Sequence, residues 1–564
     1  MYILGISSGL KLGHHDGAAS LLKDGHIVAA AEEERFTRAK HARGDLPYYA
    51  IKYCLKEARI NIKDIDVVAS PLVSYTNYNR RLEDYFKFHF GYSPMIELFD
   101  HHLCHAASAY YLSEFEDSMI ICLDFSGDSS SGLAAVALGE DIKEIKRFKR
   151  SNSVGVFYGM LTQFLGFQMT NDEYKVMGLA SYGKPKYEKE FNKILIINED
   201  GYEFNPAIDK RVKDREIYTT DFSTRQEQMF SDEMVKILGR PRFKDEPMTQ
   251  HYMDIAASGQ RQLEKAGLKL LEIVSKHSKS RNLSLAGGIT LNCTMNSMLY
   301  NSGMVDNIFI QPAAGDAGVS LGAACCAAVK KSYPLKKMEH TYFGPSYTNQ
   351  QIGEILKRLK IGAVYHEKIE EVAASEIASG KIIGWFQGRM EFGPRALGSR
   401  SILADPRDPD MKDKINSLIK FREEFRPFAP SVLEEYKDEY FKSCPVSPFM
   451  TMIFDVQPDK KDVIPAVVHV DGTCRVQTVS KKTNLRYWTL IKKFQDLTGV
   501  PVVLNTSLNV NAEPIVESPS QAIATFAGCG MDVMILGNYY ISKEMFNKND
   551  WRSQWSGSLE EKSL

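Results

Sequence analysis

Two histidines stand four residues apart in the run HHLCHAASAYY, His101 and His105, ahead of the small residues Ala106, Ala107 and Ala109. On a helix, positions i and i+4 share a face, so both imidazoles can reach one ion. The apolar run Met119–Leu123 follows and reads as a buried strand with Asp124 at its C-terminal end. A carboxylate there supplies a third, harder ligand. A second acidic loop, Ala313-Ala314-Gly315-Asp316-Ala317-Gly318, opens a helix of small residues. These four side chains suggest a divalent-metal site. The Gly287-Gly288 pair after the strand Leu283–Ala286 allows backbone to approach a ligand closely, and a Gly-rich helix start suits an anion.

A second concentration of chemistry lies between Gly388 and Pro430, where Arg389, Arg395, Arg400, Lys420, Arg422 and Arg426 occur. Several of these cations sit beside Gly and Pro, and Phe425–Pro430 is too apolar for a solvated charge run. Arg forks match phosphate geometry and Lys acts as a point charge. A pocket for a phosphorylated ligand is expected here, with His469-Val470-Asp471-Gly472, Arg475 and the strand end Asn505-Thr506-Ser507 as further polar loops. There is no Walker loop of the form GxxxxGK[ST].

The elements that must hold these residues follow from periodicity and turn signals. Met1–Ile6 is a strand, Ser7–Gly17 a polar turn containing His14, His15 and Asp16, and Ala18–Leu22 with His26–Ala31 a hairpin around Asp24-Gly25. The same order recurs with Met119–Leu123 as strand, Phe125–Ser131 as turn, and Leu133–Leu138 with Ile142–Phe148 as hairpin. Such a repeat predicts a duplicated α/β domain of the actin/sugar-kinase type. The stretch 201–248 is irregular and charged and reads as an insertion. The pattern loosens around Lys330–Tyr347, which places the domain break near 345/346. The polar tail after Asn547 has Trp551 and Trp555 as its anchors.

The chain has 564 residues, 44% hydrophobic and 25% charged, with a net charge of −1. Those values fit a globular protein of two or more domains and speak against a nucleic-acid binder with a broad basic surface. No apolar run reaches the ~20 residues of a membrane span, and the N-terminus lacks a signal-peptide pattern. A cytoplasmic enzyme with no membrane partner is expected. The nine Cys are scattered without a CxxC, so buried free thiols are expected.

At this point longer motifs come into view. HDGAASLLKDG (15–25), EEERFTRAKH (32–41), HHLCHAASAYY (101–111), DEYKVMGLASYG (172–183), LAGGITLNC (285–293) and PAAGDAGVSLGAA (312–324) resemble the O-carbamoyltransferases of nodulation-factor, cephalosporin and aminoglycoside biosynthesis. GRMEFGPRALGSRSIL (388–403), KFREEFRPFAPSV (420–432), HVDGTCRVQTV (469–479) and NTSLNVNAEPIVESP (505–519) resemble the C-terminal half of the same family. Ser181 and the pair Asn511-Ala512 depart from the usual pattern without touching a proposed ligand.

The resemblance implies an actin/sugar-kinase-like domain, similar to the TsaD tRNA threonylcarbamoyl transferase, over 1–345, and a YrdC-like α/β domain over 346–564. It implies that the second domain forms carbamoyl-adenylate and pyrophosphate from carbamoyl phosphate and Mg-bound ATP. The first domain would then carry the carbamoyl group to a hydroxyl of a small-molecule acceptor. By motif, His101, His105, Asp124 and Asp316 match the metal ligands; iron is favoured, and manganese and zinc fit the same ligand types. His15 matches the general base, and His14 stands beside it as the alternative. Gly287, Gly288 and Asn292 would line the nucleotide side of that site. Arg395, Lys420, Arg426, Met450, Arg475 and Asn505 would hold ATP and carbamoyl phosphate, with Lys420 and Arg395 catalytic. A homodimer is compatible with the resemblance. A tRNA-directed transferase and a sugar kinase are the alternatives on the same N-terminal fold. The acceptor itself is not legible.

Overall fold

The computed structural model describes residues 1–8, 15–210 and 228–546. His14, the stretch 211–227 of the expected insertion, and Trp551 and Trp555 of the tail lie outside the described residues. The chain divides into two compact units at Met338/Glu339, a few residues before the break expected from composition.

The first unit starts with β1 (Tyr2–Ile6), almost wholly buried, as an apolar run with neighbours on both sides must be. β2 (Ala18–Lys23) and β3 (His26–Glu32) form the expected hairpin, with both turn residues in the left-handed region, Asp24 at φ 49° and Gly25 at φ 79°. β4 (Val67–Ser70) and β5 (Met95–Leu98) add parallel neighbours, and the sheet order is β3-β2-β1-β4-β5. The second sheet repeats the plan. β6 (Asp117–Gly127), β7 (Ser130–Leu138) and β8 (Asp141–Lys149) form an antiparallel meander. After a small hairpin, β9 (Leu195–Asn198) with β10 (Gly201–Phe204), the parallel strands β11 (Asn282–Ala286) and β12 (Asn307–Ile310) complete the order β8-β7-β6-β11-β12. Each sheet thus places its third, second, first, fourth and fifth strand side by side. This mixed α/β arrangement is the duplicated actin/sugar-kinase architecture that the sequence repeat predicts.

One difference from expectation matters for the site. β6 does not stop at Leu123 but runs on to Gly127, and its pairing with β7 shifts between Leu123 and Gly127. Asp124 therefore stands where the ladder opens, at the kind of irregularity that turns a side chain out of a sheet.

The helix Asp316–Lys330 packs closely on two neighbours at once. A Cβ on Gly5 of β1 would lie 1.8 Å from the Ser320 carbonyl oxygen, and a Cβ on Gly322 would lie 1.8 Å from the Cys104 carbonyl oxygen. A hydrogen bond of 2.8 Å between the Ser20 and Ser320 hydroxyls fixes the register on β2. Small residues on this helix are thus the condition for bringing its first residue, Asp316, up to the helix His101–Tyr110.

The second unit is built on an eight-stranded mixed sheet. Its strands are β13 (Val364–Tyr365), β14 (Ile383–Phe386), β15 (Arg400–Ala404), β16 (Ala429–Leu433), β19 (Gln477–Val479), β20 (Val502–Ser507), β21 (Val533–Leu536) and β22 (Tyr539–Ser542). Their order is β13-β22-β21-β14-β15-β20-β16-β19, and a separate ribbon pairs β17 (Ile453–Asp455) with β18 (Thr473–Arg475). All nine cysteines are buried and free, as their spacing suggests. No helix among the described residues is long and apolar enough to cross a membrane.

Gly322→Ala is expected to destabilise the first unit by about 1–3 kcal/mol, since a Cβ there meets backbone rather than a mobile side chain. Thermal and denaturant unfolding check it; an unchanged midpoint would show that the helix can move aside freely.

Candidate metal centre and cationic pocket

The helix His101–Tyr110 begins at a built N-terminus. Asp100 caps it, accepting from Leu103 N–H at 2.9 Å, and Arg147 grips the same carboxylate through two contacts of 2.9 and 3.0 Å. Asp128 accepts the His101 backbone N–H at 3.0 Å. Gly127 makes room for the His101 ring, because a Cβ there would lie 2.0 Å from its Cδ2. After the neighbouring strand β11, Gly288 N–H donates to Asp124 Oδ1 at 3.1 Å and Gly287 N–H to the Ala314 carbonyl at 2.8 Å. Gly287 itself sits at φ 91° with its α-carbon against Leu123, so only glycine serves there.

These supports bring His101, His105, Asp124 and Asp316 to one point, with ligand atoms all within 4.8 Å of one another. His101 Nε2 is 3.6 Å from Asp124 Oδ2 and 3.5 Å from Asp316 Oδ1, and His105 Nε2 is 3.6 Å from Asp316 Oδ1. Those separations exceed hydrogen bonds and match groups arranged around an ion. His101 Nε2 and both ring nitrogens of His105 are buried without a hydrogen-bond partner. Buried nitrogens of this kind are costly unless a further group satisfies them. The donor set therefore fits a divalent cation.

The charges say the same. Burial opposes the His101 imidazolium, yet Asp316 and Asp124 outweigh it and hold its pKa up to about 10. Burial likewise disfavours the Asp316 anion, and His101 and His105 nevertheless hold its carboxyl well below the ordinary carboxylate range. Asp124 is lowered as well, against both burial and the nearby Asp316. Two anions this close together demand positive charge. The third histidine, His102, is pushed down to about 3 by burial and by His101 and His105, so it stays neutral, 3.0 Å from the Ser130 hydroxyl.

His15 lies on the turn after β1. Burial opposes its protonation, while Asp16 and then Asp316 raise its pKa to about 9. Asp16 and His41 are partners that sequence reasoning did not single out, although both lie inside the motifs quoted above. Asp16, Glu34 and His41 also approach one another closely enough for an ion. Their atoms, however, are already engaged: His41 with Asp16, and Glu34 with Arg35 and the His41 N–H. Asn292 likewise is committed internally. It caps the helix Cys293–Tyr300 through Met295 N–H, and its amide is bonded to Gln260 and Tyr158.

In the second unit the six cations separate into two groups. Arg400 is fully buried, stacked 3.6 Å over the Phe386 ring, and donates to the carbonyls of Gln387, Ser399 and Pro345; Arg389 donates to the carbonyls of Phe343 and Gly344. Both thereby hold the backbone of the loop in shape. Lys420 differs. It is 3% exposed, and its Nζ donates to the Ser507 and Asn509 carbonyls at 2.6 and 3.0 Å and to Asn509 Oδ1 at 2.8 Å. Among the described residues none of its hydrogen-bond acceptors is a carboxylate. Burial, then Arg422 and Arg426, push its pKa well below the ordinary lysine value.

β20 links Lys420 to the other residues expected here. Asn505 donates to the Ala396 carbonyl beside Arg395 at 3.2 Å, to the Ser431 hydroxyl and to Gln477, while its own Oδ1 is buried without a partner. Arg475 ends β18, two residues before Gln477, and pairs across the ribbon with Ile453. Met450 adopts φ 55° in a buried loop just before that ribbon, a conformation that side chains other than glycine rarely hold. Arg426 lies 3.7 Å from Glu423.

Residues 3–92 and 75–325 match the family model described as carbamoyltransferase N-terminus, and residues 374–543 match that described as carbamoyltransferase C-terminus. The chain belongs to the carbamoyltransferase family. It is an enzyme of that class. It is 39% identical to nodulation protein NolNO of Sinorhizobium fredii, over 98% of this chain and 84% of the relative. It is 40% identical to nodulation protein NolO of Bradyrhizobium diazoefficiens, over 80% of each chain. Among solved structures, a 2-hydroxyglutaryl-CoA dehydratase component from Acidaminococcus fermentans superposes at a TM-score of 0.34 with 15% identity, over 59% of this chain and 99% of that one. That likeness is too slight to carry an argument.

Two outcomes follow from these geometries. Gly127→Ala displaces the His101 ring and is expected to weaken binding of Fe(II) or Mn(II) by about 10–100-fold, read by equilibrium dialysis with metal analysis. Unaltered affinity would separate His101 from the ion. Lys420 titrates early in the folded protein, so its positive charge is lost as pH rises through a value below the ordinary 10.5. ATP binding measured calorimetrically should therefore weaken at alkaline pH before a normal lysine would titrate, and Lys420→Arg should remove that limb. A limb that persists in the arginine variant assigns it to another group.

Proposed function

We propose that this chain is an O-carbamoyltransferase that works in two steps at two sites. The second unit, residues 346–564 in the motif-based division, activates the carbamoyl group. Carbamoyl phosphate gives up its phosphate to water, and an oxygen of the resulting carbamate attacks the α-phosphorus of Mg-bound ATP. The bond to the β-phosphate breaks, and carbamoyl-adenylate, phosphate and pyrophosphate are formed. A buried Lys420 whose hydrogen-bond acceptors are all neutral supports this reading, because such an ammonium favours a polyanion beside it. Arg395 and Arg426, with Met450, Arg475 and Asn505 around them, are assigned to the same two substrates.

The first unit carries out transfer to a hydroxyl of a small-molecule acceptor. The observation that carries this assignment is the buried cluster of His101, His105, Asp124 and Asp316, with imidazole nitrogens that nothing else satisfies. These four residues would hold a divalent ion, iron by preference and manganese or zinc by ligand type, which supplies positive charge for a phosphate oxygen of the adenylate. His15 accepts the proton of the acceptor hydroxyl. The freed oxygen lone pair forms the bond to the carbamoyl carbon, and AMP leaves with the electrons of the anhydride bond. One of the two carboxylates that raise the His15 pKa is Asp316. A cation held by Asp316 would offset that influence and bring the imidazole toward the range where a base works near neutral pH. Gly287 and Gly288 line the nucleotide side through their backbone.

Full-length protein given ATP and radiolabelled carbamoyl phosphate, without acceptor, is expected to yield carbamoyl-adenylate and pyrophosphate. ADP as the sole nucleotide product would overturn the activation step. Lys420→Ala should lower adenylate formation by at least ~100-fold, whereas His105→Ala should leave it intact and stop carbamoyl transfer to hydroxyl acceptors drawn from a sugar panel. Loss of adenylate in both variants would rule out two separable sites.

A further inference from the structure

Asp16 stands at the centre of a brace that the chemistry above does not use. Its Oδ2 lies 2.7 Å from His15 Nδ1, and its Oδ1 lies 2.8 Å from His41 Nδ1. The backbone ties the same pair a second time, with Asp16 N–H donating to the His41 carbonyl at 2.7 Å. His41 is held from two further sides. Its backbone N–H donates to Glu34 Oε2 at 2.7 Å, and its Nε2 lies 3.3 Å from Asn171 Oδ1.

The Asn171 amide cannot turn round to offer its nitrogen instead, because Nδ2 donates to the Asp172 carboxylate at 2.9 Å. An ionised Asp16 accepts at both oxygens, so Nδ1 carries the hydrogen on each ring. The His41 ring is thus held between Asp16 at Nδ1 and Asn171 at Nε2. Arg43 extends the contact, donating to the Thr170 hydroxyl at 3.2 Å. The backbone at these positions is left-handed without glycine: φ is 56° at Asp16, 67° at His41 and 38° at Ala42. Such conformations persist where surrounding bonds over-determine them, and they gather at functional sites.

We propose that Asp16 is a positioning residue: it fixes the Nδ1–H tautomer of His15 so that Nε2 faces the acceptor hydroxyl as proton acceptor, and His41 holds Asp16 in place through its ring and its backbone. This rests on the reading of His15 as the base. During transfer the hydroxyl proton moves to Nε2 while Nδ1–H remains bonded to Asp16, so the imidazolium is stabilised without a second proton transfer. Among the described residues, the charged groups facing His15 are Asp16 and Asp316, which favour its protonated form, and Arg43, which opposes it. His41 faces Asp16 from the other side.

Full-length protein carrying 15N-labelled histidine tests the assignment through long-range proton–nitrogen correlation spectra, with the His15 signals identified by their loss in His15→Gln. Above its titration the wild-type ring is expected to carry hydrogen on Nδ1. In Asp16→Asn the Nε2–H form should appear and the titration midpoint should fall by roughly one unit, as loss of an adjacent carboxylate requires. AMP release with water as acceptor should fall by about 100-fold. An unchanged tautomer and midpoint in Asp16→Asn overturns the proposal. Should that variant fail to fold, as judged by circular dichroism, His41→Gln takes its place. A mixed tautomer at His15 in His41→Gln supports the brace, and an undisturbed one overturns it. Undiminished AMP release in His15→Gln would remove His15 as the base while leaving the tautomer result standing, so the two readings fail separately.

Discussion

Two carboxylates, Asp124 and Asp316, face two buried imidazoles, and the pair of anions is not tolerable so close together without positive charge between them. Much of the first unit can be read as the means of meeting that constraint. A shift in strand pairing turns Asp124 out of its sheet. An aspartate cap clamped by Arg147 sets the first turn of the histidine helix. A helix of small residues slides between β1 and the histidine helix until Asp316 arrives at its N-terminus. Each device is a local matter of sterics or hydrogen bonding, and together they assemble charge that none of them would tolerate alone.

The sequence was informative wherever a residue's role depends on chemistry that a short stretch carries by itself. The His101/His105 spacing, the Asp-Gly hairpin and the repeated strand–turn–hairpin order were legible for that reason. The partners of His15 were not. Asp16 sits beside it in the chain, but nothing in HDGAAS reveals that a histidine from the end of EEERFTRAKH closes on the same carboxylate. Gly127 was hidden too, because the need for a missing Cβ depends on the His101 ring arriving from another element.

In the second unit, cation density between Gly388 and Pro430 has more than one structural source, since Arg389 and Arg400 hold backbone carbonyls and an aromatic face. Guanidinium groups serve ligand and scaffold with the same five donors, so composition alone cannot divide them. Lys420 is set apart only by its surroundings, a buried ammonium among neutral acceptors. Asn505 was chosen by motif, and the structure adds why that position is demanding: one buried amide joins three strands and the Arg395 loop.

The close seat of the Asp316–Lys330 helix on Gly5 has a consequence for how the first unit is made. His101, His105 and Asp124 belong to the stretch that opens the second sheet, whereas Asp316 is delivered by a helix resting on the first strand of the first sheet. No fragment that ends before this helix owns a complete ligand set. During synthesis the cluster therefore closes among the last tertiary contacts of the unit, after the full repeat has emerged. The four side chains therefore meet only when both repeats have folded against each other, so the state of the cluster reports on the folding of the whole unit.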